Sequence, residues 1–317
     1  MLRSGPVPRP LAEPDSRRGI DGCPPRSADP SPPPLREGRC RYKIFTYHST
    51  LHLQTTPLPC INGVGWGTGE STEMTKMSWS GAWLPVLHRL PDASSDREVA
   101  LTIDDGPTNS TPGVLRILGR VGAKATFFLS GERMNRHPGI VRDIVEAGHA
   151  VYAHGMQHIP LEGEPAERIA RDMTEAEAIL AGLRPTPSPY LVRLPYAAGR
   201  RLPAVHKAIR AWSPTAQIAH WNASTDDHTI AGRCTDEADI RALSAAAVCR
   251  LASRRDLSGS ILLMHDEPVG IPSPFVPAVT LTLAEMLVTT LSGRGYAFVP
   301  LRPIRRPPLL SRFILEK

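Results

Sequence analysis

No stretch of the 317 residues approaches the roughly 20 uncharged apolar residues that a membrane-crossing helix needs. The opening, MLRSGPVPRPLAEPDSRRG, carries arginines but no apolar h-region, so no secretory leader is read there and a cytoplasmic protein is expected. Cysteine is scarce. Its five residues (Cys23, Cys40, Cys60, Cys234 and Cys249) are odd in number, widely spaced and form no C-x-x-C pair, which fits reduced thiols better than a disulfide scaffold. Positive charge lacks a stripe. The net charge of +6 (37 minus 31) is scattered, with short runs at Arg200-Arg201, Arg254-Arg255 and the tail Arg302, Arg305, Arg306 and Arg312. No aromatic residues interleave with them, so no nucleic-acid partner is expected. There is no internal repeat, and no G-x-G-x-x-G follows the first strand, which disfavours a dinucleotide-binding sheet.

What is present is ordinary globular composition, 41% hydrophobic and 21% charged, but unevenly distributed. Twelve of the 33 prolines fall within the first 59 residues. Residues 1–76 show neither a helical period nor alternation and read as a disordered Pro/Arg-rich extension, one that a start at Met74 or Met77 would omit. A Pro-rich arm that binds a partner is the functional alternative for this segment. Residues 77–301 read as the folded domain and 302–317 as a basic, solvated tail.

From Glu98 onward, short apolar runs alternate with stretches of helical period. Seven strands are predicted, at 99–103, 125–129, 150–153, 190–194, 217–221, 260–264 and 296–300. Helices are predicted at 136–147 and 166–180, and through the Val276, Val279, Leu283, Leu287 stripe to a stop at Gly293. Seven βα units in series imply parallel strands, in either a closed or distorted (β/α) barrel or an open doubly wound sheet.

The unusual polar groups all fall at C-terminal strand ends, where a barrel keeps its chemistry. Asp104 and Asp105 end the first predicted strand, His154 and His158 the third, and Arg193 and Tyr196 the fourth. Asp226 and Asp227 follow the fifth, and His265 and Asp266 end the sixth. The spacing of His154 and His158 puts two imidazoles on one face of a helical turn, and a carboxylate from another strand end would complete a His, His, Asp metal site. A Zn²⁺-like ion there would acidify water and polarise a carbonyl, the chemistry of amide or ester hydrolysis. The second aspartate of the tandem pair can serve as general base if Arg193 holds it ionised. His265 can protonate a leaving amine, with Asp227 or Asp266 as its orienting carboxylate.

Thr102-Ile-Asp-Asp-Gly-Pro107, the His154/His158 pair, Arg193-Leu-Pro-Tyr196, the 221–227 segment and Leu262-Leu-Met-His265 together resemble the five motifs of the polysaccharide deacetylase (NodB-homology) family. That family includes chitooligosaccharide, chitin and peptidoglycan deacetylases. The resemblance implies a distorted (β/α)7 barrel with Asp104 as general base and Asp105, His154 and His158 as metal ligands. It also implies that Arg193 orients the base, that the Tyr196 backbone N–H helps bind the oxyanion and that His265 is the general acid. The chain departs from the family pattern at three places. Ile103 stands where Phe is usual, Gly155 where a Ser or Thr hydroxyl could brace the metal loop, and Ser224-Thr-Asp-Asp227-His228 where D-x-x-D-W is usual. On these grounds Ser224 removes a carboxylate that could tune the catalytic histidine.

The expected function is metal-dependent removal of N-acetyl groups from N-acetylglucosamine-type saccharides, releasing acetate, with one divalent ion, Zn²⁺ or alternatively Co²⁺. The expected partner is an N-acetylated oligo- or polysaccharide. The rivals are a C–N hydrolase of a non-sugar amide and a non-catalytic saccharide-binding barrel.

Overall fold

The computed structural model describes residues 83–91, 93 and 96–305; the readings made for residues 1–76 and for the tail beyond Arg305 lie outside them. Among the described residues nine strands form: β1 (Val86–Leu87), β2 (Glu98–Asp105), β3 (Thr126–Leu129), β4 (Ala150–Ala153), β5 (Leu191–Val192), β6 (Gln217–Ala219), β7 (Ala223–Ser224), β8 (Ile261–His265) and β9 (Ala297–Phe298). They alternate with helices α1 (Thr111–Arg120), α2 (Gly131–Arg136), α3 (Pro138–Glu146), α4 (Ala166–Ala181), α5 (Pro203–Trp212), α6 (Asp227–Ile230), α7 (Glu237–Ala252) and α8 (Val276–Gly293). All seven predicted strands are present. The two extra ones, β1 and β7, are two residues long.

Every strand-to-strand ladder is parallel. One sheet runs β4-β3-β2-β8-β7 with β9 on the start of β2, and the other runs β1-β6-β5. The stretch from β6 to β7 joins them. At β6 it pairs with β1 and β5, and at β7 it crosses to β8, while the Leu90 N–H donates to the Gly259 carbonyl next to β8. On the far side no ladder links β4 to β5. Side chains bridge that gap: the Ala153 N–H donates to the Tyr190 hydroxyl at 2.9 Å, and the His154 ring bonds the Arg193 carbonyl. The ring of strands is thus a barrel distorted at one seam.

Strand alternation divides the burial into two cores. Val99, Leu101 and Ile103 of β2 and Phe127 and Leu129 of β3 face the helices α1, α3, α7 and α8, and Ala100, Phe128, Tyr152, Ile218 and Ile261 fill the other core. Helix α8 has the length and apolarity of a membrane-crossing segment, but the stripe Val279, Leu283, Leu287 and Leu291 is spent on this packing. The helix ends at Gly293 as expected, and Gly295, at φ 80°, is the residue beyond it that turns left-handed. The expected helix 136–147 begins at Pro138 instead, because proline is tolerated in the first turn but not inside the helix. Past the domain boundary read from sequence, Arg302 pairs with Glu98, and Ile304 exchanges hydrogen bonds of 2.9 and 2.7 Å with the Gln217 amide. Cys234 keeps a buried free thiol, in line with the reading of reduced thiols for that residue.

Candidate active site

On β2, Thr102 and Asp104 share a face because strand side chains alternate. Asp105 should by parity face the helical shell. Its φ of 76° breaks the strand at that residue, and both adjacent carboxylates come to the same place. His158 (φ 52°) and Tyr196 (φ 56°) also take left-handed backbones, costly for residues with a Cβ, and such strain concentrates where function requires it. All four of Asp104, Asp105, His158 and Tyr196 line one cavity of about 320 Å³, together with His154, His265 and the apolar side chains of Leu194, Trp221, Val269 and Ile271.

Arg193 is 1% exposed and anchors the first carboxylate. Its Nη1 donates to Asp104 Oδ2 at 3.1 Å and its Nη2 to Thr102 Oγ1 at 3.0 Å, while Thr102 Oγ1 donates onward to the Leu262 carbonyl. The guanidinium lies over the Phe128 ring at 4.6 Å and against Trp221 at 5.1 Å, which partly replaces its lost hydration. Burial pushes the Asp104 carboxyl up to about 6, with Arg193 and His265 opposing. Asp105 behaves differently. Burial also acts to raise it, but the His158 contact and the fields of His265 and His154 prevail and hold it well below the usual carboxylate range.

His154 Nδ1–H donates to the Arg193 carbonyl at 2.9 Å, which leaves Nε2 as the ring's lone-pair atom, 3.6 Å from Asp105 Oδ1. Burial, helped by His158, lowers its pKa to about 3, so the ring stays neutral. Asp105 Oδ2 accepts from the Val269 N–H at 2.8 Å. Asp105 Oδ1 lies 3.0 Å from His158 Nε2 and is buried between the two imidazoles. The ligand atoms of Asp105, His154 and His158 lie within 4.8 Å of one another, and one carboxylate with two imidazoles suits a divalent ion such as Zn²⁺. The pair does not sit on a helical turn as expected. It sits on an irregular loop after β4, opened by Gly155 at φ 76°.

On the opposite wall, His265 Nδ1–H donates to Asp227 Oδ1 at 2.9 Å and its backbone N–H to Asp227 Oδ2 at 2.6 Å. Burial disfavours the charged imidazole, but the Asp227 charge and hydrogen bond outweigh it and raise His265 to about 9. Of the two carboxylates considered for this task, Asp227 performs it. Asp266 instead accepts from Thr108 at 2.8 Å and from Thr111, away from the imidazole. Asp227 takes this role from the start of α6, and Ser224 Oγ accepts from the Asp226 N–H at 3.0 Å.

All eight site residues named from the sequence meet at or directly behind this cavity. Sequence reasoning gave no role to Thr102 and Trp221, although both open motifs quoted above, and missed Phe128 and Val269. Thr102 was accessible through the two-residue strand period, whereas Val269 arrives from a loop with no pattern.

The family described as polysaccharide deacetylase matches residues 92–211. Peptidoglycan-N-acetylglucosamine deacetylase PgdA of Listeria monocytogenes is 31% identical over 216 residues, covering 66% of this chain and 39% of that protein. The chain thus matches about two fifths of that relative's length. A chitooligosaccharide deacetylase of Bradyrhizobium is 32% identical over 225 residues, covering 68% of this chain and 94% of the relative. A crystal structure of a peptidoglycan N-acetylglucosamine deacetylase is similar at TM-score 0.54 and 26% identity, covering 72% of this chain and 95% of that one.

Proposed function

This chain belongs to the polysaccharide deacetylase family, and on that premise we propose that it hydrolyses the acetamide of an N-acetylglucosamine-containing saccharide to acetate and a free amine. One observation carries the reading. A single cavity joins a convergent Asp, His, His donor set to two proton-handling groups whose pKa values are driven apart, Asp104 to about 6 and His265 to about 9.

Asp105, His154 and His158 would hold the ion, Zn²⁺ or Co²⁺. When bound, such an ion polarises the acetamide carbonyl and makes water more acidic. Near neutral pH Asp104 is largely ionised, and Arg193 fixes its Oδ2, so its other oxygen, which has no hydrogen-bond partner, takes the proton from attacking water. The C–O bond forms as the carbonyl π pair moves to oxygen, and the Tyr196 backbone N–H is assigned to donate to that oxyanion. His265, protonated and held by Asp227, gives its proton to the amine nitrogen as the C–N bond breaks. Both proton positions are restored when Asp104 passes its proton on through solvent.

The cavity is at the small end of the range of ligand sites, roughly 300–1,000 Å³, which fits one sugar unit with the rest of the chain outside. Trp221, Leu194 and Val269 offer the apolar surface that an acetyl methyl and a sugar-ring face require. The test is acetate release from chitooligosaccharides, peptidoglycan fragments and simple amides, run in parallel. Turnover on the N-acetylglucosamine substrates supports the reading. Turnover on simple amides alone would replace it with a non-sugar C–N hydrolase, and binding of saccharide without acetate release would make the protein a saccharide-binding barrel.

A further inference from the structure

The loop between His154 and His158 carries two of the three convergent ligand atoms, and it is gripped from two sides. Its carbonyls are taken by the first turn of α2: the Gly131 N–H donates to the Gly155 carbonyl at 2.9 Å and the Glu132 N–H to the Met156 carbonyl at 3.0 Å. Its amides turn the other way, toward α4. There Asp172, 6% exposed, accepts from the Gln157 N–H at 3.1 Å through Oδ1. Its second oxygen, Oδ2, is buried with no hydrogen-bond partner, and a Cβ on Gly155 would come within 2.5 Å of it.

A buried carboxylate oxygen left unpaired costs free energy, so packing alone does not explain an aspartate here. From this arrangement we infer that Asp172 is a positioning residue for the metal site, fixing the 154–158 loop so that the two imidazoles converge with Asp105. Asp172 fills the space a side chain at 155 would need. Glycine at 155 and the carboxylate at 172 are therefore one device: the left-handed turn lets the backbone approach the acid, and the acid holds the turn. The bracing hydroxyl that Gly155 lacks is replaced by a carboxylate from another element, and Asp172 touches neither substrate nor ion.

This inference rests on the metal site proposed above, and the test separates the two. Zn²⁺ affinity is measured by competition with a chromophoric chelator on the full chain, with the melting temperature of the metal-free protein recorded alongside. If the parent protein binds no Zn²⁺, the proposed site itself fails. Given that it binds, Asp172→Ala is expected to weaken affinity roughly 10- to 100-fold, the usual scale for losing a partner behind a ligand. Asp172→Asn, which keeps an acceptor for the Gln157 amide, is expected to lose clearly less. Should Asp172→Ala fail to fold, Gly155→Ala presses on the same oxygen without removing a polar group and is expected to weaken Zn²⁺ in its place. Parent-like affinity in Asp172→Ala, or in Gly155→Ala where that is the variant measured, would overturn the inference. So would equal losses in the Ala and Asn variants of Asp172.

Discussion

Replacing Asp227 by Asn should move the alkaline limb of the pH–rate profile. In the folded protein burial works against a charged His265, and the Asp227 carboxylate outweighs it, holding the imidazole at about 9 against an ordinary 6.5. Asn keeps the volume and one acceptor but removes the charge. The imidazole then falls toward its ordinary value, and the protonated fraction at pH 8 drops from about nine tenths to a few per cent. Turnover should fall about 30-fold at pH 8 and less than twofold at pH 6, since at the lower pH both proteins carry the proton. A bound cation would lower the limbs of both proteins together, so the difference between variant and parent is the readout. The assay is acetate release from pH 5 to 10, with metal content and melting temperature as controls. An alkaline limb unchanged in Asp227→Asn, with metal and fold intact, would refute the role given to the His265–Asp227 pair.

Arg193→Ala should raise the acid limb above about 6, because burial then acts on Asp104 without its largest opposing charge; an unmoved limb in the pH profile would count against it. The same variant should lose stability, on the order of 3–5 kcal/mol in denaturant titrations, by leaving Asp104 buried and unpaired. Tyr190→Phe should cost about 2 kcal/mol, roughly 4–8 °C in melting temperature. The lost hydroxyl serves the Ala153 N–H at 2.9 Å and Glu177 at 2.6 Å across the barrel's open seam. Stripping metal should abolish acetate release, and adding back Zn²⁺ or Co²⁺ should restore it, as read against elemental analysis.

How much of this was legible in the sequence depended on whether a residue obeys a period. Asp104, His154 and His265 lie on regular strands or directly after them, so strand-end position located them. The coincidence of five motifs at such ends identified the family. Asp227 was named, but its partnership was ambiguous, because nothing in the 224–228 stretch says which carboxylate a turn of irregular backbone will deliver. The helical-turn reading of His154 and His158 failed for a related reason: i, i+4 spacing is compatible with a helix but does not require one, and Gly155 allows a left-handed turn instead. Asp172 sits mid-helix among charged residues in a segment of helical period. Only the folded packing of α4 under the loop reveals it. The barrel's seam was likewise invisible, since it is closed by single side chains rather than by a ladder.

The central claim is that two adjacent aspartates divide the labour, Asp105 holding the ion and Asp104 moving the proton. The measurement that tests it most directly is bound metal per chain in Asp104→Asn and Asp105→Asn, taken beside turnover. Asp104→Asn should retain metal and lose roughly 10² to 10⁴ in turnover, because Asn keeps the shape but accepts no proton. Asp105→Asn should be comparably slow and depleted of metal, with excess Zn²⁺ restoring it at most in part. Metal lost from Asp104→Asn and kept by Asp105→Asn would reverse the assignment, and full activity in both would contradict the hydrolytic account.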